Sequence, residues 1–306
     1  MEKKKYNYSE IFHSFQGEGA YCGVQTAWIR FFLCNLQCDG FGQKDPTDPS
    51  TYVLPYQDFD VSSVKRIEDL PVWDYGCDSS YTWAKKFKHL ASKGTASEIC
   101  DTITDVCLKN EFNPEGKFLH PSGQDTHMAF TGGEPMLNQV AMVEILNQFR
   151  LENNLPNYVT VETNGTKPFK DVKGVSLQGI IKKGYPDGYD REWFWSVSPK
   201  LWSTSGEKPS KAICPEVVAE YAAASNHGQL KYVVDGSADS WREVEDYTKQ
   251  FRDAGVDWDV WIMPVGATKE QQEGKQIADI AVEAIRRGYK VSGRLHCYIF
   301  GNQIGT

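Results

Sequence analysis

Apolar residues recur at two periods along this chain, and from residue 95 onward helix-like blocks alternate with strand-like ones. Thr95 and Glu98 have capping-box spacing, and Ile99, Ile103 and Val106 follow at helical intervals, so a helix is predicted to start there. Short apolar runs at 127–131, 158–162, 194–197, 229–234 and 261–265 read as buried strands, and 139–152 as a helix. Ser240 and Glu243 suggest a second capping box, ahead of an apolar stripe made by Trp241, Val244, Tyr247 and Phe251. The pattern closes with a long helix over 269–287 and a last strand over 289–296.

Such repetition predicts an α/β fold with a mostly parallel sheet, whose ligands gather at the carboxyl ends of the strands. Four polar segments stand at those ends: Thr131-Gly-Gly-Glu-Pro, Glu162-Thr-Asn-Gly, Ser198-Pro-Lys and Met263-Pro-Val-Gly. Two stretches interrupt the alternation, at about 39–76 and 165–192. Their proline, glycine and charge content reads as surface insertions in one domain spanning 1–306.

A chain of 306 residues with 40% hydrophobic content can bury a substantial core. The formal net charge of -8 speaks against a sequence-independent grip on nucleic acid, which needs lysine and arginine facing phosphates; a small-molecule substrate fits better. Eight cysteines are too sparse for a disulfide-framed secreted module, and the lysine-rich start lacks the apolar stretch of a signal peptide. No run approaches the roughly 20 apolar residues of a membrane helix. A cytoplasmic protein is expected.

The cysteines carry the chemistry. Cys34 and Cys38 have three residues between them, and Cys77 follows after 38 more. Three thiolates that leave a fourth position open suit an iron–sulfur cluster that must touch a small molecule. Cys100 and Cys107 share one face of the predicted helix and read as core residues, while Cys22, Cys214 and Cys297 are isolated. A zinc site remains an alternative, although no Cys-x2-Cys pair supports it. Near the N-terminus, Gln16-Gly-Glu18-Gly joins a carboxamide and a carboxylate to glycines that permit close backbone approach, a set able to read the edge of a heterocycle. Arg30 lies in an apolar run and must meet an anion there, either a ligand or a structural carboxylate.

Cys34-Asn-Leu-Gln-Cys38, with Cys77-Asp78-Ser79 and Thr82-Trp83 beyond the first insertion, resembles the radical S-adenosylmethionine superfamily. More narrowly, the chain resembles the 7-carboxy-7-deazaguanine synthase family from Phe12 to its C-terminus, with the motifs in the same order. The usual third-ligand place, three residues after Cys38, holds Phe41, so Cys77 must substitute. Widening that gap adds on the order of 2.5 kcal/mol of loop entropy, which iron–thiolate bonding can absorb.

The resemblance implies an incomplete (β/α) barrel of the radical SAM type, and a lyase of 7-deazaguanine and queuosine biosynthesis. Its reaction would convert 6-carboxy-5,6,7,8-tetrahydropterin to 7-carboxy-7-deazaguanine with loss of ammonia. It implies a 4Fe-4S cluster on Cys34, Cys38 and Cys77, and Mg2+ at Ser79, where the family's threonine is replaced by another hydroxyl. S-adenosyl-L-methionine would meet Gly76, Cys77, Asp78, Gly133, Glu134, Glu162, Asn164, Ser198, Pro199 and Lys200. The pterin substrate would meet Phe15, Gln16, Gly17, Glu18, Arg30, Thr131, His296 and Thr306. No catalytic residue is implied beyond the cofactor radical. A flavodoxin- or ferredoxin-type electron donor and a homodimer are implied as well, with no direct nucleic acid or membrane partner. Another radical enzyme, such as a glycyl-radical activase, would share the cluster and the Gly-Gly-Glu segment without needing Gln16, Glu18 and Arg30.

Overall fold

Residues 4–172, 174–183 and 191–306 are described by the structure, a computed structural model; residues 184–190 of the second expected insertion lie outside them. The strands are β1 (Tyr6–Phe15), β2 (Gln25–Phe31), β3 (Ser92–Gly94), β4 (His127–Gly132), β5 (Tyr158–Thr163), β6 (Asp171–Val172), β7 (Val175–Ser176), β8 (Glu192–Val197), β9 (Gly228–Val234), β10 (Asp259–Pro264) and β11 (Lys290–Val291). Apart from the β6–β7 hairpin they form one nine-stranded sheet in the order β11-β10-β9-β8-β5-β4-β2-β1-β3. From β2 through to β11 every pairing is parallel, while β1 runs antiparallel to β2 and to β3. The two edges do not meet, so the mostly parallel sheet expected from the alternation is the incomplete barrel that the resemblance implied.

The helices are α1 (Pro55–Asp58), α2 (Ala96–Ile103), α3 (Gln139–Leu151), α4 (Leu177–Lys183), α5 (Trp202–Ser205), α6 (Pro209–Ala212), α7 (Pro215–Ala224), α8 (Ala238–Asp253), α9 (Lys275–Arg286) and α10 (Leu295–Phe300). Among the described residues none is long and apolar enough to cross a membrane. The main core lies between the sheet and its helices: Phe31, Phe130, Val161, Trp195, Tyr232 and Ile262 are fully buried, and Ile99, Phe149 and Val244 meet them from α2, α3 and α8. Burying each such side chain contributes roughly 1.5–3 kcal/mol, which fixes strand register and so places the strand ends. Residues 54–90 build a smaller core of their own around Tyr56, Trp73, Tyr81 and Phe87, with Ile304 of the C-terminal tail packed against it. The first interruption of the pattern is therefore folded, and its far end delivers Cys77.

Four sequence expectations need correction. The helix from Thr95 has its capping box, but α2 ends at Ile103 and a π turn over Thr104–Leu108 rotates Val106 to solvent while Cys107 and Leu108 go inward. Helix α8 is capped by Ser237, whose hydroxyl accepts from the Ser240 amide at 3.1 Å. Glu243 instead takes the Ser203 hydroxyl at 3.1 Å, tying α8 to α5. The helix expected over 269–287 is broken: Gln272 donates its side chain to the Pro264 and Gly266 carbonyls, and Gly274 sits at φ 109, so α9 starts only at Lys275. The last strand is reduced to Lys290–Val291, because the Ser292 hydroxyl and the Leu295 amide bond to Gly19 and Gly17 and draw the chain off the sheet into α10.

At the end of β4 remote from the strand-end motifs, His127 stacks on Tyr158 with ring centroids 4.5 Å apart and meets the edge of Tyr21 at 4.8 Å. Burial pushes its pKa down to about 4, with Asp125 pulling weakly the other way. Unfolded, the ring takes a proton near pH 6.5; folded, only near 4. Acid therefore favours the unfolded chain across that window, whereas above pH 6.5 the ring is neutral in both states. Denaturation followed from pH 7 to 4 should lose stability more steeply for the native protein than for His127→Phe. Equal slopes would remove His127 as the cause.

Candidate functional site

The carboxyl ends of β2, β4, β5, β8, β9 and β10 open into one cavity of about 300 Å³, roofed by the loop at 34–38, the segment 72–79 and the C-terminal tail. Of the residues named from the sequence, Phe15, Gln16, Gly17, Glu18, Arg30, Cys34, Cys38, Gly76, Cys77, Asp78, Ser79, Thr131, Gly133, Glu162, Asn164, Ser198, Lys200, His296 and Thr306 all line it. Glu134 and Pro199 do not. Glu134 is fully buried and accepts from the Met136 and Asn164 amides and the Thr163 hydroxyl at 2.7–2.9 Å. Its carboxylate thereby joins the ends of β4 and β5, which leaves it no free edge for a ligand.

The three cysteines face the cavity from two separate segments and lie within each other's electric fields. Burial pushes the Cys34 thiol up to about 12 and raises Cys38 and Cys77 as well, while the Lys200 ammonium works against it at Cys34 and Cys38. A bound cationic centre is what would make three such thiolates stable together. Among the described residues no three or more His, Cys, Asp or Glu side chains gather tightly enough around a point to hold a single metal ion. All three cysteines line the one cavity.

Glycine lets the loop come this close. A Cβ at Gly133 would lie 2.2 Å from the Leu33 carbonyl oxygen and 2.8 Å from the Cys34 Cβ. Asn164 braces the same loop by donating to the Asn35 side chain at 3.2 Å. The Cys77 sulfur and Ser79 hydroxyl are 3.5 Å apart. The Lys200 ammonium donates to the Ser198 hydroxyl at 2.9 Å and lies 5.7 Å from the ring centre of Phe41, the residue at the usual third-cysteine place.

On the other side of the cavity the polar groups form a connected chain. Gln16 donates to Glu162 at 2.8 Å; Lys231 bridges Glu162 at 3.3 Å and Glu18 at 2.5 Å; Arg294 bridges Glu18 at 2.9 Å and Asp78 at 2.6 Å. Burial alone would raise the Glu18 pKa, but Lys231 and Arg294 hold it well below the ordinary carboxylate range, so Glu18 is ionised at neutral pH. Asp78 is likewise held low by Arg294 against burial. His296, on α10, is pushed down to about 4 by burial and by Arg294 and is therefore neutral, able to donate one hydrogen bond and accept another. Its ring packs against Gly17, where a Cβ would stand 1.9 Å from Nδ1.

Arg30 meets a carboxylate of the protein itself, Glu10 at 2.5 Å, while its guanidinium still lines the cavity. The structural carboxylate, one of the two anions left open by the sequence, is thus present. Met263 and the backbone that follows it, through Gly266, also line the cavity. The sequence reading missed Lys231 and did not weigh Arg294 as a site residue. A lone lysine inside the apolar run Gln-Leu-Lys231-Tyr-Val-Val carries the same signal as Arg30 and points to the same conclusion.

No protein-family model matches the chain. It is 25% identical over 315 residues to a 7-carboxy-7-deazaguanine synthase of Halobacterium salinarum, an alignment covering 96% of this chain and 90% of that protein. A synthase of the same name from Pyrobaculum aerophilum is 23% identical over 297 residues, covering 97% and 95%. One from Nitratidesulfovibrio vulgaris is 28% identical over 221 residues, covering 69% and 74%. Among solved structures, QueE from Escherichia coli superposes with a TM-score of 0.50 at 16% identity, over 94% of this chain and 93% of that one, which shows a shared fold.

Lys231 is 3% exposed and neutralises two carboxylates. Lys231→Met should lower unfolding stability by about 3 kcal/mol, the order expected when a buried ion pair loses one partner. Lys249→Met, which removes an exposed pair with Asp253, should barely move it. Chemical denaturation of the two variants in parallel checks this; equal small losses would mean that the chain of charges is not a buried unit.

Proposed function

We infer that this protein is a radical SAM 7-carboxy-7-deazaguanine synthase, a carbon–nitrogen lyase that converts 6-carboxy-5,6,7,8-tetrahydropterin to 7-carboxy-7-deazaguanine with loss of ammonia. The observation that carries the reading is a convergence. Cys34, Cys38 and Cys77 share one cavity with Gln16, Glu18, Arg30 and Thr131, at the strand ends of a chain similar over nearly its whole length to synthases of that name.

The donor set fits the groups this function needs. Cys34, Cys38 and Cys77 would hold a 4Fe-4S cluster with one iron left for S-adenosyl-L-methionine, and the Ser79 hydroxyl would offer an oxygen to Mg2+. When bound, the cluster and the sulfonium cofactor supply the radical that removes hydrogen from the pterin.

The rest is the work of the chain. Gly132 and Gly133 line the cavity, and Ser198, Lys200 and Asn164 offer partners to a ribose or a carboxylate. The ionised Glu18 can accept from the N–H edge of the pterin's pyrimidine ring, and Gln16, whose amide donates to Glu162 and accepts from the Glu18 amide, holds that carboxylate's backbone in place. Neutral His296 and the tail from Asn302 to Thr306 border the cavity near this edge and would limit the water that reaches it.

Anaerobic reconstitution with iron and sulfide, followed by S-adenosyl-L-methionine, a low-potential reductant, Mg2+ and the carboxypterin, should yield 7-carboxy-7-deazaguanine by mass spectrometry. Cys77→Ala should lose most bound iron and all product, while Cys100→Ala, altered in the core, should keep both. No product from the native protein, or unchanged iron in the Cys77 variant, would contradict the assignment.

A further inference from the structure

The turn after α5 has no place in the reading above, yet it grips the loop that carries two of the cysteines. One oxygen of Glu207 accepts from the Gln37 amide at 2.6 Å and the Cys38 amide at 3.0 Å, and the other accepts from Lys211 at 3.1 Å. The glutamate is 7% exposed, and its own amide donates to the Ser205 hydroxyl at 3.2 Å. Beside it the Gly40 amide donates to the Ser205 carbonyl at 3.0 Å, and a Cβ on Gly40 would lie 2.6 Å from the Gly206 nitrogen. The loop is thus pressed against this turn by three hydrogen bonds from its own backbone amides, two to the Glu207 carboxylate and one to the Ser205 carbonyl.

Two consequences follow. Cys38 has φ 56, a left-handed conformation that costs a residue with a Cβ about 1 kcal/mol or more and persists only where the surroundings impose it; the bonds at residues 37 and 38 impose it. Those two N–H groups are also withdrawn from the sulfurs. The Leu36 amide, 3.4 Å from the Cys34 sulfur, does make such a contact. Hydrogen bonds to thiolate sulfur and positive charge raise the potential of an iron–sulfur cluster, whereas a nearby anion lowers it.

We propose that Glu207 is a positioning residue of the cluster site, which holds the Cys38 backbone in its left-handed turn and keeps the potential of the bound cluster low. This rests on reading Cys34, Cys38 and Cys77 as cluster ligands. Glutamine at this position can still accept both amides but carries no charge, so Glu207→Gln separates the two effects, and Glu207→Ala removes both.

In the metal-free protein, hydrogen exchange of a peptide spanning 34–41 should speed up about tenfold at residues 37 and 38 in Glu207→Ala. After anaerobic reconstitution, Glu207→Gln should bind as much iron as the native protein. In a titration followed by electron paramagnetic resonance, its ratio of reduced to oxidised cluster at a fixed poise should rise about tenfold, roughly 59 mV for one electron. A potential equal to or below the native one in Glu207→Gln, or native exchange in Glu207→Ala, would overturn the proposal. A native protein that binds no iron would overturn the cysteine assignment instead, and the exchange measurement, which needs no metal, tells the two failures apart.

Discussion

The site depends on one line of alternating charge, from Glu162 through the buried Lys231, Glu18 and the buried Arg294 to Asp78. Its members come from β5, β9, the turn after β1, the segment before α10 and the stretch that carries Cys77. No two of them are close in sequence. An unpaired ion in the interior would be expelled or neutralised, so the buried Lys231 and Arg294 are stable there only because carboxylates stand beside them. Remove a cation and two separate walls of the cavity lose their common anchor. The same line joins the side of the cavity proposed for the pterin with the side proposed for the sulfonium cofactor, because Lys231 touches Glu18 and Glu162.

The parallel sheet makes this possible. With β2, β4, β5, β8, β9 and β10 side by side and aligned, their carboxyl ends deliver polar residues to one rim without any long-range design of the loops. The cysteine loop is then held from three directions: Gly133 admits it against β4, Asn164 braces it from the end of β5, and Glu207 fixes its backbone from the turn beyond α5. Cys77 reaches the same space from a segment with its own small aromatic core, which gives that long excursion a rigid body and reduces the entropy lost in bringing its end to the site.

Much of this was legible in the residues, and the gaps have physical causes. Buried strands such as Val159 to Val161 and the stripe on α8 stand out because periodicity and burial are the same fact seen twice. The polar segments at strand ends were legible for the same reason. Helix limits were not: Ser237 and Ser240 are equally good caps by composition, and only the tertiary bond from Ser203 to Glu243 decides between them. The break before α9 follows from the Gln272 side chain turning back to the Pro264 and Gly266 carbonyls, and the early end of the last strand from Ser292 bonding to Gly19 far away in sequence, neither of which periodicity contains. Lys231 had a readable signal, a cation within an apolar run. Glu207 had none, since its importance lies in which amides it faces.

The proposed function requires that Cys34, Cys38 and Cys77 hold a cluster with one iron open to the sulfonium cofactor. Electron paramagnetic resonance of the anaerobically reconstituted and reduced protein tests it most directly, recorded before and after addition of S-adenosyl-L-methionine. The reduced protein should give a 4Fe-4S signal whose g values change when the cofactor is added. A signal that does not respond, or a colourless protein that takes up zinc and gives no signal, would contradict it.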